Sequence, residues 1–146
     1  MSDEIVRVHA ADAPDPLGPY PHALIAGGLV LCSGQGARDP ATGEVAGLEC
    51  DGEGRVTGHD IRLQTEACLA NLRRVLAAAG SGFERLLEVN VYLCDMGDFA
   101  GMNEVYARHF PDGGPVRTTI GVAGLPGGNF IEIRAVALGP SSEEEQ

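Results

Sequence analysis

This chain contains two segments with the apolar periodicity of a helix, and they lie among short segments typical of strands. This pattern limits the possible folds more than any other feature of the sequence. In residues 61–79, apolar residues recur every three or four positions behind a potential N-cap at Thr57 or Asp60, and Gly80 supplies the left-handed residue that ends a helix. A second helix is predicted for residues 98–110, with its first residue, an aspartate, as the cap. Strands are predicted at residues 5–8, 23–26, 29–32, 87–93, 117–122 and 129–137.

This order of segments predicts an α+β domain. Neighbouring strands are expected to pair as hairpins, in an antiparallel or mixed sheet with both helices packed on one face. Alternation in the strand at residues 87–93 leaves Glu88, Asn90 and Tyr92 on one side, and no third helix is available to cover that face, so a sheet-lined oligomer is expected. The predicted inward-facing residues are Ile61, Thr65, Cys68, Leu72, Val75, Leu76 and Ala79 of the first helix, Phe99, Met102, Val105 and Tyr106 of the second, and Leu87, Val89, Val91 and Leu93 of the strand.

The length of 146 residues suits one domain with a self-sufficient core. We therefore expect a single domain over residues 1–146, in which residues 1–4 and 140–146 form flexible tails. Residues 34–58 are Gly-rich and acidic without clear periodicity, and they predict a long surface loop.

Charge and composition exclude several classes of function. The formal net charge of −11 disfavours nucleic acid and anionic membrane as partners. All ten basic residues are Arg, which excludes a Schiff-base lysine. The four Cys and four His form no metal-binding or redox motif, so neither a zinc site nor redox-dithiol chemistry is expected. Because no signal segment and no long apolar run is present, we expect the protein to be cytoplasmic.

Arg117 and Glu132, in the last two predicted strands, form a candidate site. A guanidinium matches a carboxylate in two parallel hydrogen bonds, and a half-buried carboxyl can exchange protons, so the pair could bind an acidic substrate and act on it. A structural salt bridge between the two strands is the alternative, and spacing alone favours it.

Motifs distributed along the chain resemble the RidA/YjgF family. They are Gly18-Pro19-Tyr20, Leu31-Cys32-Ser33-Gly34-Gln35, Gln64-Thr65, Asn103-Glu104-Val105-Tyr106, Pro115-Val116-Arg117, Leu125-Pro126 and Ile131-Glu132-Ile133. The resemblance implies a chorismate-mutase-like fold, a trimer with sites between subunits, and cofactor-independent hydrolysis of reactive enamines and imines to a keto acid and ammonia.

The same resemblance implies roles for individual residues. Arg117 would bind the substrate carboxylate and Glu132 would handle the attacking water. Tyr20, Ser33 and Asn103 would line the site, and Gly34 would allow close approach of the ligand. From the residues alone, Tyr20 could equally be a packing aromatic, Ser33 the end of a strand, and Asn103 a tie between helix and loop.

Three features, Tyr20-Pro21-His22, the acidic and Gly-rich loop before the first helix, and Arg117-Thr118-Thr119, are similar to the 2-aminomuconate deaminase branch of that family. A dicarboxylate substrate needs a second cation, for which Arg38 and His22 are the candidates. Two other functions stay open. A non-catalytic sensor or scaffold that binds small carboxylates would need Arg117 but not Glu132, and a ribonuclease or translation inhibitor would conflict with the negative charge.

Overall fold

The computed structural model describes residues 3–140, and this part of the chain contains two α-helices and eight strands. Of the predicted tails, residues 1–2 and 141–146 lie outside the described residues. In chain order the elements are β1 (Val6–Val8), β2 (Ala23–Ala26), β3 (Leu29–Cys32), β4 (Leu48–Cys50), β5 (Val56–His59), α1 (Ile61–Ala78), β6 (Leu86–Leu93), α2 (Phe99–His109), β7 (Val116–Gly121) and β8 (Ile131–Leu138).

Helix α1 begins and ends as predicted. The side chain of Asp60 accepts hydrogen bonds from the backbone N–H groups of Arg62 and Leu63, at 2.9 and 3.2 Å, and so caps the first turn. Thr57, the other candidate cap, lies in β5. Gly80 has a φ of +74°, the left-handed conformation that ends a helix. All seven residues predicted to face inward are buried.

Six strands form one sheet in the order β1-β2-β3-β8-β6-β7, and β4 and β5 form a separate hairpin. The prediction that all strands pair as hairpins is wrong for the last three. Strand β7 pairs with β6 in parallel, because the chain crosses over through α2 before it returns to the sheet. Strand β8 then inserts between β3 and β6 and is antiparallel to both.

The alternation predicted for β6 holds except at its start. A register shift between Leu86 and Glu88 places Leu86 inward and leaves Leu87 exposed. A β-bulge of this kind adds one residue to a strand and reverses the side on which the following side chains lie. The other inward positions of β6, from Val89 to Leu93, are fully buried.

Both helices pack on one face of the sheet, as predicted, and the core lies between them and the inward residues of β6 and β8. The opposite face carries exposed apolar side chains. Val116 is 71% exposed, Ile120 45%, Leu138 40% and Leu31 36%. A row of this kind across a sheet is typical of a surface that another protein copy covers.

Residues 34–58 are more ordered than predicted. The carboxylate of Asp39 accepts hydrogen bonds from the N–H groups of Ala41 and Thr42. The backbones of Arg38 and Val45 form an isolated antiparallel β-bridge. The β4–β5 hairpin follows. Its strands are short and carry polar or exposed residues, so they lack the alternation that identifies a strand in sequence.

His59 at the end of β5 ties this hairpin to the domain. Its ring stacks on Phe130 at a centroid distance of 3.8 Å, and its Nε2 lies 2.7 Å from the Asp98 carboxylate. Asp98, predicted to cap α2, makes no capping hydrogen bond because its carboxylate is engaged by His59 instead.

Candidate active site

A pocket opens where β3 ends and β8 begins, and it contains most of the predicted site residues. We call it the Glu132 pocket. Its cavity volume of about 50 Å³ holds only a few water molecules, so a substrate bound here needs a further wall. The lining residues are Pro14, Asp15, Pro16, Leu17, Tyr20, His22, Ser33, Gly34, Gln35, Gly36, Arg38, Pro126, Asn129 and Glu132.

Glu132 projects from β8 on the face of the sheet opposite the helices, because its neighbours Ile131 and Ile133 are fully buried on the helix side. It is half-buried, and burial raises the pKa of its carboxyl above the ordinary value of 4.5. A carboxyl with a raised pKa is a stronger base once it is ionised, which suits proton transfer near neutral pH.

Gly34 lies directly against this carboxylate. A Cβ atom at position 34 would lie 2.5 Å from Oε2 of Glu132, which is closer than side chains can approach. The close contact seen at Gly34 is therefore with Glu132, and the approach of a ligand at this position stays a prediction. Any larger residue would displace the carboxylate of Glu132.

Ser33 and Tyr20 present different polar groups to the pocket. The Ser33 hydroxyl donates to the carbonyl of Pro21 at 2.7 Å, so its remaining lone pairs are available to accept a hydrogen bond. The Tyr20 hydroxyl accepts from the N–H of Leu17 at 3.3 Å, so its proton is available to donate. Both residues line the Glu132 pocket.

Arg38 is the cation of this pocket. Its guanidinium donates to the carbonyl of Asp15 through one nitrogen, which leaves other donors of the fork for a ligand. Within residues 3–140, Arg38 forms no ion pair with Glu132 or with any other carboxylate. It can therefore bind a substrate carboxylate without breaking an existing salt bridge.

His22, the other predicted cation, is a structural residue. It is 1% exposed, its Nδ1 accepts from the N–H of Ala10 at 3.0 Å, and its Nε2 lies 2.8 Å from the carbonyl of Pro14. A protonated ring would lose the bond from Ala10, because Nδ1 could no longer accept. His22 holds the segment that walls the pocket, and the structure argues against its role as a carboxylate ligand.

Arg117 lies elsewhere. It pairs with the buried Val89, so it faces the helices, and its guanidinium carbon lies 4.6 Å from the ring centroid of Tyr106 and 5.7 Å from that of Phe99. Glu132 belongs to the opposite face and to a strand on the far side of β6. The predicted salt bridge between the two residues is absent from residues 3–140.

Asn103 belongs with Arg117. It follows Phe99 by four residues on α2 and precedes Tyr106 by three, so the three side chains share the helix face near the guanidinium. Asn103 is exposed, and it is not among the residues that line the Glu132 pocket. Phe99, predicted to be an inner residue, is 37% exposed at the same place.

One chain thus carries two separate groups of predicted site residues. The Glu132 pocket contains Tyr20, His22, Ser33, Gly34, Arg38 and Glu132, while Arg117 and Asn103 lie on the helix side of the sheet edge. Sequence reasoning did not assign the pocket wall formed by residues 14–17 or the buried Asn129. The Pro-rich composition of residues 14–17 was a signal for a rigid segment, whereas nothing in the sequence marked Asn129.

Among the residues that the structure describes, no group of three or more His, Cys, Asp or Glu could hold a metal ion. None of the described helices is long and apolar enough to cross a membrane.

Comparisons with known proteins agree with the fold. Residues 10–139 match the model of the family described as Endoribonuclease L-PSP. A RutC family protein of Pyrococcus horikoshii is 42% identical over 130 residues, 89% of this chain and 94% of the relative. The human 2-iminobutanoate/2-iminopropanoate deaminase is 36% identical over 139 residues, 94% of this chain and 93% of the relative.

A solved structure, that of E. coli TdcF with bound serine, superposes with a TM-score of 0.79 at 30% identity and covers 91% of this chain and 98% of its own. The α+β fold predicted from the order of elements and from the resemblance is confirmed. A family match over nearly the whole chain, with relatives that align over most of its length, shows that this protein belongs to the RidA/YjgF family.

Proposed function

We propose that this protein is a cofactor-independent deaminase that hydrolyses reactive 2-amino-enoates and their imine tautomers to a 2-keto acid and ammonia. The observation that carries the proposal is Glu132, a half-buried carboxyl with a raised pKa at the edge of a small polar pocket. The human relative, named as a deaminase of two 2-imino acids, supports the same class of reaction.

In the proposed reaction the ionised Glu132 takes a proton from a water molecule, and the water oxygen bonds to the imine carbon. As the C=N π bond breaks, the imine nitrogen takes this proton from Glu132, which gives a carbinolamine. The hydroxyl proton of the carbinolamine then passes through Glu132 to the nitrogen, the C–N bond breaks, and ammonia and the keto acid are released. Ser33, whose own proton is directed to Pro21, accepts a hydrogen bond from the substrate N–H group. Tyr20 donates from its hydroxyl to a substrate oxygen.

We further propose that Arg117 of a neighbouring copy completes the site, in a homotrimer. Two observations support this assembly. The Glu132 pocket is too small to enclose a substrate, and the face of the sheet opposite the helices exposes apolar side chains. The Arg117 guanidinium stacks on the Tyr106 ring, so its fork is held in place for a carboxylate.

The preferred substrate is proposed to be a dicarboxylate of the 2-aminomuconate type. Arg38 supports this, because it would add a second cation to the Arg117 of the neighbouring copy. It lines the Glu132 pocket and forms no ion pair within the described chain. Arg117 would bind the carboxylate beside the imine, and Arg38 the distal one.

Replacing Arg38 with Ala is expected to lower kcat/KM for 2-aminomuconate by roughly 10- to 100-fold, because a charge-assisted hydrogen-bonded pair contributes about 1.5–3 kcal/mol. Turnover of the monocarboxylate 2-aminoacrylate should change by less than about threefold, since it has no distal carboxylate. Ammonia release from both substrates measures the effect, and Arg55→Ala, an exposed arginine on the β4–β5 hairpin, controls for the lost charge.

A wild-type preference for 2-aminoacrylate would refute the dicarboxylate assignment and keep the general deaminase. Keto acid binding without ammonia release from any substrate would favour a sensor or scaffold. Cleavage of RNA would favour the ribonuclease activity to which the family description refers, and the net charge of −11 argues against it.

A further inference from the structure

Asn71 of α1 is a buried residue whose side-chain amide makes three hydrogen bonds. Two of them join it to the wall of the Glu132 pocket formed by residues 36–38, and the third joins it to Arg74. Asn71 is 1% exposed. Its Nδ2 donates to the carbonyl of Gly36 at 3.0 Å and to the carbonyl of Arg38 at 2.8 Å. Its Oδ1 accepts from Nη1 of Arg74 at 2.7 Å, which fixes the orientation of the amide.

The segment that Asn71 holds is fixed at other points as well. The carbonyl of Gln35 accepts from the thiol of Cys68, and the N–H of Ala37 donates to Oδ1 of Asn129 at 2.8 Å. A Cβ atom at Gly36 would lie 2.5 Å from the Asn129 amide, so there is no room for a side chain between this segment and Asn129. The β-bridge to Val45 holds the residues on either side of Arg38, and Asn71 bonds the carbonyl of Arg38 itself.

Arg38 is therefore held at both ends. Its carbonyl is bonded to Asn71, and its guanidinium is bonded to the carbonyl of Asp15. A long side chain that is already ordered loses less conformational entropy when it binds an anion, and so binds it more tightly. Binding sites also lose affinity when their supporting residues allow movements of about 1 Å.

We propose that Asn71 is a positioning residue that holds Arg38 for the distal carboxylate and so sets the preference for dicarboxylate ligands. The inference rests on the proposed function, because it assigns Arg38 the same role. Asn71 is not among the residues that line the pocket, so it acts through the backbone of residues 36–38. A purely structural role predicts a different result, in which substitution lowers stability but weakens all ligands equally.

The test is calorimetric binding of two keto acids of equal chain length, 2-oxoglutarate with a distal carboxylate and 2-oxopentanoate without one. In Asn71→Leu the Kd of 2-oxoglutarate should rise about tenfold, within the range for residues that support a ligand-binding group. The Kd of 2-oxopentanoate should change less than about twofold. Asn71→Asp keeps the volume but turns an acceptor towards two carbonyls, and it decides the question if Asn71→Leu does not fold.

Two further proteins separate positioning from general destabilisation. Thr65→Val removes an equally buried hydrogen bond from the same helix, between its hydroxyl and the carbonyl of Ile61, and should leave the ratio of the two Kd values unchanged. In an Arg38→Ala background, Asn71→Leu should add less than about twofold to the Kd of 2-oxoglutarate, because its effect passes through Arg38.

The outcomes are distinct. If the wild type binds neither keto acid, the proposed function fails. If the wild type prefers 2-oxoglutarate and both Asn71 variants keep that preference, the positioning role is overturned. If the wild type binds the two acids with equal affinity, the positioning role is overturned as well, because Arg38 then binds no distal carboxylate.

Discussion

Replacing Glu132 with Gln is expected to lower kcat for 2-aminomuconate by about 10²–10⁴, the range that general acid–base catalysis supplies. Glutamine keeps the shape of the side chain beside Gly34 but cannot accept a proton from water. The affinity for a 2-keto acid should stay within a few-fold, because keto acid binding needs no proton transfer. Ammonia release and keto acid calorimetry measure the two effects, with the exposed Glu84→Gln as a matched control.

The pH dependence provides a second readout of the same variant. Because the pKa of Glu132 is raised above 4.5, wild-type activity should fall at a higher pH than an ordinary glutamate would give as the solution is acidified. In Glu132→Gln the residual rate should lack this dependence. Equal turnover of the two proteins would contradict a role as general base and favour the non-catalytic sensor or scaffold.

The same raised pKa has a consequence for stability. Folding favours the protonated carboxyl, so the stabilisation from Glu132 is complete below the unfolded pKa and is lost as the pH rises through the folded pKa. Glu132→Gln should therefore gain melting temperature relative to the wild type near neutral pH and show little gain at about pH 4.

Mixing two inactive variants is expected to restore about a quarter of wild-type activity. In a trimer with sites between subunits, Arg117→Met subunits supply Glu132 and Glu132→Gln subunits supply Arg117. Random co-assembly of equal amounts gives each site a chance of about one in four to contain both native residues. Methionine keeps an apolar stem over the Tyr106 ring, so the fold of that edge is preserved. Ammonia release from co-expressed subunits measures the recovery.

Wild-type subunits co-expressed with an Arg117→Met/Glu132→Gln double variant are the matched control. Sites between subunits would reduce the activity to about a quarter, whereas sites within one chain would leave about half. Light scattering should give about three times the chain mass of 15.2 kDa for every mixture. A monomer, or two variants that stay inactive when mixed, would refute the assignment of Arg117 to a neighbouring copy.

Sequence was sufficient for the elements whose local signals agree with their packing. In α1 the cap at Asp60, the apolar stripe and the stop at Gly80 all predict the same helix, and the structure contains it. The hairpin of β4 and β5 was missed because three or four polar or exposed residues carry no periodicity, and tertiary contacts such as that between His59 and Phe130 hold it.

Sequence was insufficient where topology decides. Alternation within a strand says which residues share a face, but not which face of the sheet they occupy. Arg117 and Glu132 were placed together because their strands follow one another in the chain. Strands β7 and β8 instead lie on opposite sides of β6. Arg117 lies on the helix face of the sheet, and Glu132 lies on the other face. The interpretation of His22 as a candidate cation had another weakness, because sequence does not reveal that backbone groups contact both ring nitrogens.

The central position of β8 also constrains how the protein folds. It is the last strand of residues 3–140, yet it joins β1-β2-β3 to β6-β7 within the sheet. Until β8 is synthesised and docked, these two groups of strands share no strand pairing, and the apolar residues of α1 have no complete sheet to cover. The sheet therefore closes through contacts between distant parts of the chain, which favours slow, cooperative folding that waits for β8 rather than stepwise folding of each group of strands.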